Sequence, residues 1–166
     1  MDVHPYAELT TERLHLRPLN YADAPALAEA MGRYDVARWL IGKPYPFQDT
    51  EAAAMIEAAV LGQSWLAWGA TQLVGGVSVE NGLGFWVARP HWGKGYATEM
   101  ADAAACAFFA QSDEDRLLAG AMAANAASIR VLEKLGAERL GADRAWSDAL
   151  NQSVDVAIYR LTQRLS

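Results

Sequence analysis

The chain has 166 residues, 52% hydrophobic and 20% charged, which suits one folded domain over residues 1–166 and excludes a disordered polymer. Net charge is −6 with no basic run, so phosphate-led nucleic-acid binding is disfavoured, and no apolar run is long enough to span a membrane. The single cysteine, Cys106, excludes an internal disulfide and fits a reducing cytoplasm, and His4, His15 and His91 are too scattered to hold a metal with it.

The opening Met1-Asp2-Val3-His4-Pro5 lacks the charged-then-apolar order of a signal peptide. Leu14 and Leu16 alternate with polar neighbours until Pro18, which predicts a first amphipathic strand at a sheet edge. Asn20 or Asp23 caps a helix to about Met31, and a short helical turn covers Val36–Leu40. Two prolines keep Gly42–Phe47 a loop. Asp49 is then expected to cap a helix over Thr50–Leu61, closed by Gly62.

Closely spaced strands follow at Trp65–Ala70 and Leu73–Val79, and Asn81-Gly82 signals a hairpin into Leu83–Val87. After a glycine-bearing turn, an alanine-rich helix runs to Ala110 with Ala97, Ala101, Ala104, Ala105 and Phe108 on one side. Cys106 lies in it, with the character of a small buried hydrophobe. Leu117–Met122 reads as a strand, and Asn125–Leu135 as a helix ended by Gly136. Ala137–Gly141 predicts a short strand, Ala142–Ser153 a polar connection, and Val154–Leu161 the last strand. The sum is a mixed α/β, α+β-like domain with an antiparallel front half.

The most informative stretch is Phe85-Trp86-Val87 leading into Trp92-Gly93-Lys94-Gly95-Tyr96-Ala97-Thr98-Glu99. A strand, a glycine turn and a helix start leave several backbone N–H groups unbonded where the helix dipole is positive. Such an end takes phosphate groups. The P-loop pattern is absent, and the dinucleotide fingerprint fails at Thr98. Two glycines in a turn are by themselves a conformational need and no more.

Together with Asn125-x-x-Ser128-Ile129-Arg130-Val131-Leu132-Glu133-Lys134-Leu135-Gly136, that stretch resembles the GNAT superfamily of acyl-CoA N-acyltransferases, in its RimJ/RimL-like branch. The likeness runs from Thr11-Glu12-Arg13-Leu14 to Asp155 and Tyr159. It implies a mostly antiparallel sheet flanked by helices and splayed between the fourth and fifth predicted strands. It also implies acetyl-CoA as co-substrate, no metal, and an amine acceptor that is a small molecule or a peptide, in a monomer or homodimer. An acidic surface suits a cationic acceptor.

On this resemblance Gly93, Lys94, Gly95, Tyr96, Ala97 and Thr98 cradle the pyrophosphate of coenzyme A. Trp92 stands where many relatives carry Gln or Arg, so a phosphate-pairing side chain is missing, and Lys94 is either its partial replacement or a solvated turn residue. The pantetheine arm would add to Phe85, Trp86 and Val87 as an extra strand, with an N–H near Trp86 or Val87 polarising the thioester carbonyl. Asn125 is an N-cap, a pantetheine contact, or both. Ser128 is the candidate donor to the leaving thiolate, or else a serine bonded to backbone. Arg130 and Lys134 either reach the adenosine phosphates or line a solvated helix face.

Direct attack in a ternary complex is expected, since no acyl-enzyme nucleophile is evident. Many relatives carry a glutamate base where Gly82 stands. Glu80 is the candidate substitute, with a charge beside a turn as the simpler alternative, and His91 and Asp155 as weaker candidates. The tyrosine acid found elsewhere in the superfamily is replaced by Leu132. Trp39, Tyr45, Phe47 and Trp146 would wall the acceptor pocket or pack the core. Two readings follow: an acetyl-CoA-dependent N-acetyltransferase, or a module that binds acyl-CoA without turnover.

Overall fold

The computed structural model describes residues 4–163, so Met1 to Val3, used in the signal-peptide reading, lie outside it. Five antiparallel strands form one sheet in chain order: β1 (Leu9–Thr10), β2 (His15–Arg17), β3 (Ser64–Trp68), β4 (Leu73–Ser78) and β5 (Gly84–Val87). A second sheet holds β6 (Arg116–Met122), β8 (Gln152–Thr162) and β7 (Glu138–Ser147), with β8 in the middle. Helices α1 (Ala24–Gly32), α2 (Tyr34–Ala37) and α3 (Asp49–Ala58) follow β2. Helix α4 (Tyr96–Gln111) precedes β6, and α5 (Ala126–Lys134) follows it.

The sequence builds two cores, one on each face of the first sheet. In β3, Trp65 and Ala67 join Met100, Ala104 and Leu117, while Leu66 joins Leu27, Met31, Ile56 and Trp86. A strand buried on both faces reads as a continuous apolar run, as β3 does. Arg17 fixes the start of the helical layer by a two-pronged pair to Asp23, with Nη1 and Nη2 2.9 and 2.8 Å from its carboxylate. Asp23 also accepts the Asn20 N–H at 2.9 Å, and it is only 6% exposed. A short 3₁₀ turn, Tyr21–Asp23, therefore leads into α1 under the expected cap residues.

Several expectations are corrected. The strand carrying Leu16 is not an edge, because the two-residue β1 pairs with it on its outer side. Helix α3 is capped from Gln48, whose N–H donates to Glu51 at 2.8 Å, and it ends at Ala58 instead of Leu61. Cys106 is exposed: it sits on the solvent side of α4 while Ala101, Ala104 and Ala105 face inward. Residues 138–147 are one ten-residue strand, not a short strand and a polar connection. That strand pairs with β8 alone and is exposed along nearly its whole length, so it carries no apolar alternation to betray it.

Among the described residues, one backbone hydrogen bond joins the two sheets. Leu83 N–H donates to the Leu118 carbonyl at 2.7 Å, in a parallel bridge of Leu83 with Ala119. Past it, β5 and β6 belong to separate sheets and share no ladder among the described residues. This is the expected splay, one strand later in the count because β1 went unread.

Candidate active site

The splay leaves one edge of β5 open. Ala88 N–H turns to the Val74 carbonyl on β4 at 2.8 Å, and Leu83 N–H turns to β6. Amides alternate sides along a strand, so Gly84 and Trp86 face β4 with Ala88, while Phe85 and Val87 face the gap with Leu83. Trp86 therefore offers its backbone to the sheet and its indole to the core. Of the two residues expected to supply a gap-facing N–H, the structure selects Val87, and it adds Phe85. The Val87 carbonyl is already taken by the Trp92 indole N–H at 2.7 Å. Trp92 thus ties off the end of β5, under a lid of Arg89 stacked 4.5 Å from its ring.

The turn that follows has the form its glycines require. Gly93 and Gly95 have φ of +76 and +80, a region open to glycine at little cost. Gly95 is the N-cap of α4, and Glu99 N–H returns to its carbonyl at 3.2 Å. The amides of Tyr96, Ala97 and Thr98 precede the first possible intrahelical acceptor and are left for an outside partner.

A clamp from the other end of the chain holds this turn. Arg13 Nε donates to Glu99 Oε1 at 2.7 Å, and Arg13 Nη1 to the Lys94 carbonyl at 2.9 Å. The Arg13 backbone N–H reaches Glu99 Oε2 at 2.9 Å, and the Thr11 hydroxyl donates to the same oxygen. The Arg13 guanidinium lies 4.3 Å from the centre of the Tyr96 ring. Burial raises the Glu99 pKa, but the bonds from Thr11 and Arg13 outweigh it, and the net shift is downward. A carboxylate with a lowered folded pKa stabilises above its unfolded pKa, and that stability is lost as pH falls through the folded value. Glu99→Gln is accordingly expected to flatten the acid side of a Tm-against-pH curve, as pH falls below the ordinary glutamate pKa of about 4.3. Curves that run parallel would show that the Glu99 ionisation is not linked to folding. The clamp was not evident in the sequence, where Thr11-Glu12-Arg13 reads as the start of the first strand and of the family likeness, with no role for Arg13.

His91 closes the other side of the turn, its ring edge-on to Tyr96 at 6.0 Å. Burial, helped by the charge of Lys94, lowers its pKa, so it is neutral at pH 7. A cleft of about 180 Å³ opens there against the β3–β4 hairpin. Across the gap, Asn125 Oδ1 accepts the Ser128 N–H at 3.2 Å and caps α5 as expected. The Ser128 hydroxyl has no hydrogen bond among the described residues, so its backbone-bonded alternative is not what the structure contains. Lys94, Arg130 and Lys134 are exposed, and none forms an ion pair among the described residues.

The acetyltransferase (GNAT) domain family matches residues 13–138, three quarters of the chain. The chain belongs to the GNAT acetyltransferase family. It is 28% identical to an uncharacterised N-acetyltransferase, p20, of Bacillus licheniformis, over 94% of this chain and 96% of that protein. Its fold is that of a GNAT-family acetyltransferase from Bacillus anthracis, with TM-score 0.80, 22% identity, and 93% and 98% of the two chains covered. RimJ of Mycobacterium smegmatis, solved in complex with CoA-disulfide, superposes with TM-score 0.75 at 20% identity, covering 90% of this chain and 81% of that one.

In this GNAT protein Glu80 and Ser128, the two expected catalytic residues, are carried near opposite ends of β6. Gly82 sits against the Leu118 carbonyl near the start of β6, and Asn125 turns back onto Met122 at its end. Four residues of strand, about 13 Å, lie between those levels. Glu80 is on the closed side, in a cleft with Arg116 and Glu114, where it accepts a hydrogen bond from the Ser64 hydroxyl. Ser128 is on the open side.

The missing family glutamate also has a structural reason: a Cβ on Gly82, which has φ +89, would stand 2.8 Å from the Leu118 carbonyl oxygen. Asp155 is exposed and paired with Arg144 at 2.5 Å. Of the four aromatic side chains expected to wall the acceptor pocket or pack the core, one packs the core. Phe47 is in the core, Tyr45 packs edge-on to Tyr34, Trp39 lies under Arg38, and Trp146 is 56% exposed on β7. Among the described residues no group of His, Cys, Asp or Glu is placed to hold a metal, and no helix is long and apolar enough to cross a membrane.

Proposed function

We propose that this protein transfers an acetyl group from acetyl-CoA to a primary amine by direct attack in a ternary complex. The observation that carries the reading is the open edge of β5, with its Phe85 and Val87 amides, leading directly into a helix start with unbonded amides. A pantetheine arm has the amides and carbonyls to pair with such an edge, and the pyrophosphate suits Gly93 to Thr98. The complex of Mycobacterium smegmatis RimJ with CoA-disulfide supports the same choice of ligand.

In this reading the thioester carbonyl accepts a hydrogen bond from a gap-facing amide of β5, and that amide stabilises the tetrahedral oxyanion. The unbonded Ser128 hydroxyl, held half-buried at the first turn of α5, donates to the departing thiolate. Ser128→Ala is expected to lower kcat about tenfold or more with KM for acetyl-CoA little changed, since the interaction forms only as charge develops on sulfur. An unaltered kcat would remove the serine from the chemistry.

The proton of the ammonium leaves through water, because Glu80 is bonded to Ser64 at the closed end and Asp155 is paired outside the gap. Glu80→Gln is therefore expected to leave the pH–rate profile in place, and a displaced basic limb would return Glu80 to the role of base. The acceptor is an amine of a small molecule or a peptide terminus. Incubation with acetyl-CoA and a panel of amino acids, polyamines and N-terminal peptides should release free coenzyme A with at least one of them. Binding without release across the panel would favour an acyl-CoA-binding module in place of a catalyst.

A further inference from the structure

We infer that Arg13 supplies the phosphate-pairing cation of the cofactor site, taking the place of the side chain that Trp92 does not provide. The inference rests on the acetyl-CoA reading above and adds to it a residue that is 80 positions away from the turn in sequence. Three directions of one planar guanidinium are in use or on offer. Nε is bonded to Glu99 and Nη1 to the Lys94 carbonyl, at 2.7 and 2.9 Å. Nη2 donates to no described residue, and it lies 3.5 Å from where a Cβ on Gly95 would stand. Among the described residues it is the only atom, outside the neighbours of Gly95 in the chain, within 4 Å of that point. The side chain is 42% exposed, and Nη2 lies beside Gly95, just ahead of the unbonded amides of Tyr96 to Thr98.

An anion seated on those amides would find a donor already oriented. Glu99 and the Tyr96 ring hold the guanidinium plane, so little side-chain entropy remains to be lost when the ligand binds. Lysine offers no equivalent fork, because its three ammonium donors rotate about the Cε–Nζ bond and are not held in one plane. By contrast Lys94, Arg130 and Lys134 are exposed and unpaired among the described residues, and would have to be ordered by the ligand. The Trp92 indole N–H is spent on Val87.

The test is calorimetric titration of coenzyme A into wild type, Arg13→Gln and Arg13→Lys at low and high salt, with pantetheine, which lacks the pyrophosphate, followed by ligand-observed NMR. Arg13→Gln should raise the Kd for coenzyme A roughly ten- to hundredfold, as expected for loss of a charged hydrogen bond. Its binding should also be less salt-sensitive than that of wild type, with pantetheine affinity unchanged. A residue that only braced the turn would leave the two salt dependences parallel. Parallel salt curves, an equal loss for pantetheine, or wild-type affinity in Arg13→Gln would each overturn the role. If Arg13→Gln unfolds, Arg13→Lys decides: it keeps the charge without the fork and should bind several-fold more weakly, whereas wild-type affinity would overturn the inference. Failure of the wild type to bind coenzyme A would overturn the acetyl-CoA reading as well, so the two failures are distinguishable.

Discussion

Gly95→Glu is expected to abolish useful acetyl-CoA binding, with Kd raised by more than about a hundredfold, or about 3 kcal/mol. Three effects act in the same direction. Gly95 has φ +80, and a side chain there costs about 1 kcal/mol in backbone strain. The new side chain would begin 3.5 Å from Arg13 Nη2, within reach for its carboxylate to occupy that guanidinium in the manner of a phosphate. Its charge would then repel a pyrophosphate from the helix start, where the amides and the dipole otherwise favour one. Gly95→Ala separates the causes, because it shares the strain and lacks the charge. It should weaken binding about tenfold or less. Equal losses in the two variants, measured by calorimetry, would assign the effect to backbone distortion and leave the anion site without support.

Gly75→Ala is expected to destabilise the protein by about 3 kcal/mol, at the upper end of what one inserted methyl costs. A Cβ at Gly75 would stand 2.2 Å from the Trp86 carbonyl oxygen and 3.0 Å from the Met100 methyl. The first of these is backbone, which cannot rotate aside. Relief requires β4 and β5 to separate at the Gly75–Val87 and Gly76–Trp86 pairs. Gly76 is bound by the same packing, since its Cβ would meet the Trp86 indole nitrogen at 2.5 Å. The glycine pair thus lets β5 lie close to β4 while its far edge stays open. Chemical denaturation should show the loss as a lower midpoint with unchanged slope. A stability within about 0.5 kcal/mol of wild type would mean that the two strands have slack the structure does not contain.

The parts of the fold legible in the sequence were those with a local cause. The Asn81-Gly82 hairpin, the glycine turn, the Asn125 cap and the inward alanines of α4 each follow from a residue and its near neighbours. Only the start of β7 was legible, as the short strand at Ala137–Gly141, because a strand exposed along nearly its whole length has no apolar period and is held by the register of β8. β1 is two residues long and exists through its partner. The clamp of Thr11, Arg13 and Glu99 joins positions far apart in sequence, and nothing local distinguishes Glu99 from any acidic residue in a first helical turn. Glu80 failed to meet Ser128 for a similar reason. Their separation is set by how far β6 runs past its contact with β5, and spacing along the chain does not contain that length.

Calorimetric titration of acetyl-CoA into the folded wild-type protein tests the central claim most directly. The account predicts saturable binding at one site per chain, lost in Gly95→Glu. A folded wild type that produces no binding heat, and no thermal shift with excess acetyl-CoA, would contradict it. The open edge of β5 would then serve a different ligand.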